Sequence, residues 1–254
     1  MNKITLLSCV LLLGSLGLAA QREGKTEISE TKDKTTGILL HISAGGHFPG
    51  GNLADRYGIN GAIGGGTEFI TGKNLFFGLE GAFLFGSKVK EDPLAILRMP
   101  SGDIIGNDRS PAILRLQQRG VYVGATFGKI IGFGGAARQG LRVSLGGGWA
   151  QHKIRVLDDS RTVGQLHGDY KKGYDRLAGG PALQQFVGWQ HIGYGRDVSW
   201  MIGFEFNQAF THSLRDWDFT AMRKLDENRV DLRFGVRIAW TLPFFTGNAE
   251  EIYY

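Results

Sequence analysis

The chain has 254 residues, 42% of them hydrophobic, with 40 glycines and a formal net charge of +5. Six prolines exclude a collagen or a Pro-rich linker, and ample apolar content with ordinary charge excludes global disorder. The basic excess is mild and dispersed, so no nucleic-acid partner is expected.

Residues 1–20 begin with Lys3, continue through an apolar run over 4–18, and leave through Ala19 and Ala20 before Gln21. That order of charge, apolar middle and small-residue exit reads as a secretory signal peptide. The single cysteine, Cys9, lies inside it, and the apolar stretch before it is too short for a lipoprotein signal. An exported chain cleaved there has no disulfide, thiol nucleophile or cysteine metal site. Residues 21–36 carry four basic and four acidic side chains and read as a polar periplasmic leader.

From Gly37 onward the hydrophobic period is two. Eight segments follow it: 38–48, 60–71, 75–87, 119–130, 141–152, 183–194, 198–210 and 229–242. At about ten to thirteen residues they exceed an ordinary soluble strand and match a tilted strand crossing a bilayer. No later apolar run approaches the ~20 residues of a membrane helix. Connections alternate in length. Short ones lie at 71–74, 131–140 and 195–197; long ones at 49–59, 88–118, 153–182 and 211–228. Short turns on one rim and long loops on the other predict an all-β, eight-stranded antiparallel transmembrane barrel over 37–242. Pro243 is expected to end the last strand, leaving 243–254 as a periplasmic tail that carries Phe244, Phe245, Tyr253 and Tyr254.

One strand face is bulky and apolar and includes Trp149, Trp189, Trp200 and Trp240; the other mixes charge with glycine. Eight strands enclose little room, so the rings belong outside and glycine inside. The inward charges are then His41, Glu68, Glu80, Arg142, Glu205, Asp231, Arg233 and Arg237. Their near balance predicts an ion-pair network that plugs the barrel, with an ion or proton path as the other reading. The competing fold is a soluble two-layer sandwich with glycine-rich strands.

The last segment carries Arg233, Gly235, Ile238 and Trp240 as polar, glycine, apolar and aromatic positions. This resembles the C-terminal signal by which the barrel assembly machinery recognises outer-membrane proteins. Over 37–242 the chain resembles the small eight-stranded outer-membrane barrels of the OmpA and OmpX type. Its glycine-rich strands and Ala-Gln signal exit resemble barrels of Bacteroidota, some of which serve gliding-motility or type IX secretion assemblies. The resemblance implies an outer-membrane location with both termini periplasmic, and lipid, the assembly machinery and an envelope protein complex as partners.

No cofactor or metal site is expected. Gly64–66 and Gly146–148 lack the Lys-Ser/Thr of a phosphate loop, and six histidines show no metal-ligand spacing. The leading expectation is a non-enzymatic structural or interaction component. A lipid-modifying enzyme would need a serine–histidine pair, with His152, Ser199, His212 and Ser213 as candidates. A narrow channel is the third reading. Among the long loops, Trp217 and Phe219 are candidate partner anchors unless the loops pack into a cap. The mixed signs of the loop charges argue against simple polyanion binding.

Overall fold

The computed structural model describes residues 35–133, 136–193 and 198–245. The signal peptide, most of the leader, and Tyr253 and Tyr254 lie outside the described residues.

Eight strands form one closed antiparallel barrel: β1 (Gly37–Gly51), β2 (Asn60–Ile70), β3 (Leu75–Gly86), β4 (Leu114–Phe133), β5 (Ala136–Asp158), β6 (Ala178–His191), β7 (Ser199–Ser213) and β8 (Arg229–Phe245). Each pairs with its sequence neighbour, and β8 returns to β1 through Ile42↔Trp240 and Gly45↔Arg237. A closed ladder leaves no strand edge, which lets backbone cross lipid fully hydrogen-bonded.

The period-two pattern sets the faces. Inward residues such as Glu68 (2% exposed) and Arg142 (1%) are buried, while outward Phe204 is 73% exposed. Ile42, Ile63, Leu79, Val123, Phe127, Leu145 and Ile238 continue the outward set around the barrel. A surface this apolar and this continuous is stable only against lipid. Trp200 and Trp240 face each other across β7 and β8, and Trp189 stacks on Phe133 with ring centroids 5.9 Å apart. These rings cluster near the short-turn end, as an interfacial aromatic girdle does. Among the described residues no helix is long and apolar enough to cross a membrane.

Glycine makes the lumen passable to rings. A Cβ on Gly124 would meet the Tyr122 hydroxyl at 2.4 Å, and one on Gly128 would meet the Phe76 ring at 2.4 Å. Both rings lie across a glycine floor that any larger residue would fill.

Three sequence expectations are corrected. First, the bend expected over 131–140 is largely strand: β4 runs to Phe133 and β5 starts at Ala136, with a register shift at Gly132/Phe133. Second, Pro243 does not end β8. It pairs with Leu39, and the ladder continues to Gly37↔Phe245. Among the described residues the strand has no β7 partner past Thr241, and a missing N–H on that edge breaks no described ladder bond. Third, β6 starts at Ala178, not 183. Gly180 and Pro181 look like a turn in sequence, but the β6–β7 pairing skips them and resumes at Ala182↔Ala209.

Candidate functional site

The lumen is filled in layers. At the short-turn end Leu39, Ile70, Phe76, Ile130 and Ile192 form a buried apolar plug, joined by Phe245. Above it Arg142 pairs with Glu68, donates to the Gln190 Oε1 at 3.0 Å, and lies over the Phe76 ring at 3.8 Å. His41 is buried nearby, with no carboxylate in ion-pair range among the described residues.

The middle layer centres on Arg237. Its Nη1 reaches Glu80 Oε2 and Glu205 Oε2, each at 3.0 Å, and its guanidinium sits 4.7 Å from the Phe186 ring centre. Glu205 also meets Arg233 at 3.5 Å and His47 at 3.3 Å, and accepts from Asn207 Nδ2 at 2.6 Å. Glu80 accepts from Gln184 Nε2 at 2.6 Å. A buried charge is tolerable only when its partners satisfy it, and here each carboxylate has two or more.

Toward the long loops, Asp231 accepts from Thr211 Oγ1 at 2.5 Å and contacts His152 Nε2 at 2.9 Å. The Tyr57 hydroxyl lies 3.3 Å from His152 Nδ1. Both contacts are satisfied by the tautomer with its proton on Nε2, so Tyr57 donates to Nδ1. Tyr57 follows α1 (Asn52–Arg56), which with Leu53 and Ile154 closes the loop end. Its burial pushes the phenol well above the usual range, so it stays a neutral donor. Two small cavities remain in the lumen, about 20 and 40 Å³, with Tyr122 lining both.

The eight expected inward charges therefore all face the lumen, and seven of them enter the three ion-pair groups. The neutral members Gln184, Gln190, Asn207 and Thr211 matter equally. Inward parity could have found Gln184 and Gln190, but β6 has the least regular alternation in the chain. His47 and His152 had the correct parity too; partner identity was not readable from it.

The long loops form a cap with its own apolar core. Leu94, Ile104, Val163, Leu166 and Tyr174 are buried together, against Leu116 and Val156 from the extended ends of β4 and β5. Within it the apolar stretch 94–99 makes a single 3-10 turn, Ala95–Leu97. Arg176 ties three loops together: it meets Glu91 at 3.4 Å and Asp218 at 3.2 Å. Arg215 forks onto Asp175 at 2.9 and 2.5 Å.

Phe219 is not a free anchor. Its ring packs 5.3 Å from Tyr174 and lies where a Cβ on Gly173 would be, and its amide donates to the Gly173 carbonyl at 3.0 Å. Half-buried, it packs against the apolar core of the cap. Trp217 remains 49% exposed.

The serine and histidine candidates for lipid chemistry are not brought together. His152 points inward and is occupied by Asp231 and Tyr57. Ser199 opens β7 at the short-turn end, where its hydroxyl accepts from the Gly193 amide at 2.9 Å. His212 faces outward at the other end of the same strand. In the expected assembly signal, Arg233 and Gly235 face the lumen, and Ile238 and Trp240 face outward.

No family model matches the chain, and no curated protein matches it either. Solved structures with some likeness include Neisserial surface protein A, at 10% identity and TM-score 0.40, over 80% of this chain and 96% of that one. The attachment invasion locus protein Ail of Yersinia pestis is 10% identical with TM-score 0.37, over 82% and 99%. The outer membrane protein OprG from Pseudomonas aeruginosa is 8% identical with TM-score 0.33, over 82% and 96%. The barrel assignment rests on this chain's own strand pairing and surface chemistry.

Proposed function

We propose that this chain is a non-enzymatic barrel of the outer membrane that works as a structural and interaction component of the envelope. Signal-directed export, recognition of Arg233, Gly235, Ile238 and Trp240 by the barrel assembly machinery, periplasmic termini and an external cap complete the reading. The cap surface around Trp217 is the partner-binding face, within a larger secretion or motility assembly.

The carrying observation is a lumen plugged by apolar residues at the short-turn end, paired charges through the middle and α1 at the other. A filled barrel with a folded cap offers surfaces and not a passage. An exposed tryptophan on a rigid cap is the kind of anchor that protein interfaces use.

The test is isolation of the tagged full chain from native outer membranes in mild detergent. One envelope protein is expected at stoichiometric yield, and Trp217→Ala should reduce that yield at unchanged barrel content. A barrel that always runs alone, with or without Trp217, would contradict the interaction reading.

A further inference from the structure

The loop charges are mixed in sequence, but the fold sorts them. In the cap Arg56 pairs with Glu91, Arg98 with Asp92, Arg115 with Asp159, Arg176 with Asp218, Arg215 with Asp175 and Arg223 with Glu227. One groove gathers cations that lack such a partner. A groove of about 510 Å³ runs beside the free end of β5 and collects Arg119, Lys153, Arg155, Arg161 and Lys171. Among the described residues none of the five has a carboxylate within ion-pair range. The two acids that line the groove are engaged by other groups. Asp175 holds Arg215, and Asp158 accepts from the Val163 amide at 2.9 Å and meets His167 at 3.4 Å.

One further feature shows that this positive charge is held at a cost. Arg119 and Lys153 are directly opposite on β4 and β5, a like-charged cross-strand pair, and such pairs are destabilising. The Arg119 guanidinium donates to the Gln118 carbonyl at 2.9 Å and to Gln117 Oε1 at 2.5 Å, neutral acceptors that leave its charge uncompensated. That repulsion is what an anion would neutralise.

The position identifies the anion. Arg119 and Lys153 stand two residues along the ladder from the Val121↔Gln151 pair, on the outward face of strands whose next outward residues begin the apolar belt. At about 3.3 Å per residue, the cations sit roughly 7 Å along the strand from Val121. Phe83, an outward belt residue, lines the same groove. A ligand here meets cations at headgroup height and an apolar wall below. We infer that the groove binds the phosphate groups of a phosphorylated glycolipid of the outer leaflet, with its acyl chains lying on the belt beside Phe83 and Val121.

This inference rests on the proposed membrane placement with the loops outward, so the experiment reads the two separately. The purified full chain is exchanged into neutral detergent micelles with diphosphoryl lipid A, and retained lipid is measured by native mass spectrometry. Insertion and folding are read independently, as heat-modifiable mobility on a gel. The wild type should retain the lipid, less so as salt rises. The triple variant Arg119→Gln/Lys153→Gln/Arg155→Gln should fold and retain at least about tenfold less, since charge-assisted phosphate contacts are lost. Lys73→Gln/Lys129→Gln, which removes cations at the opposite rim, should retain it fully. Equal retention by the folded triple variant would overturn the site. Equal displacement by inorganic pyrophosphate at the lipid's own concentration would overturn the lipid as its source. A wild-type chain soluble without detergent and lacking heat-modifiable mobility would instead overturn the membrane reading beneath it.

Discussion

Above its apolar plug the barrel turns most of its charges inward and its apolar belt outward; in the cap the order is reversed. Glu68, Glu80, Glu205 and Asp231 are buried in the lumen while Leu79 and Phe204 face outward. Leu94, Ile104 and Leu166 are buried in the cap while Lys172, Arg223 and Glu227 lie at its surface. The change comes where β4 and β5 run past their outer neighbours, near Gln118 on one strand and His152 on the other. Below that line a side chain is chosen against lipid, above it against water. The groove beside β5 lies at the transition, which is where free cations have a use.

The comparison can be broken from either side. The largest effect is expected in the lumen: Arg237→Met leaves Glu80 and Glu205 without their central partner. The barrel should lose about 3–5 kcal/mol, read as a lower unfolding temperature of the heat-modifiable band. An unchanged unfolding temperature would mean that the lumen tolerates free acids. In the cap, Phe219→Ala removes a ring from the apolar core at a cost of about 3 kcal/mol. Proteolysis should then cut the loops at 159–177 and 214–228 while barrel mobility stays normal. Loss of both together would merge the two regions into one cooperative unit. At their junction, Tyr57→Phe removes only the hydrogen bond to His152 and should cost about 1 kcal/mol by the same unfolding assay. Trp217→Ala, on the exposed surface, should change stability by less than about 0.5 kcal/mol and act on partner yield alone.

The two regions also differ in how far the sequence discloses them. The barrel follows one rule, period two, so the inward set from His41 to Arg237 could be read residue by residue. The errors came where local signals contradict long-range pairing. Pro243 and the Gly180-Pro181 step look like stops, yet the ladder absorbs them at an edge and a skipped register. Partner choice was less legible. Parity shows that Arg237 and Glu80 share the lumen, but they are far apart in the chain and meet only because the barrel closes. The cap has no period at all. Its core is assembled from Leu94 and Val163 on separate loops with Phe219 from a third packed against them, and nothing in their spacing marks Phe219 as half-buried and Trp217 as exposed. The charge count of the loops misled for the same reason. Balance in sequence says nothing about which cations the acids reach, and the groove gathers five that they do not.

A barrel with a filled lumen acts through its surfaces and conducts nothing. Planar-bilayer recording of the purified full chain tests it most directly. A filled lumen should show no steady conductance above the bare membrane, and brief currents only after Arg237→Met loosens the middle layer. A stable ohmic channel in the unmodified chain would contradict it.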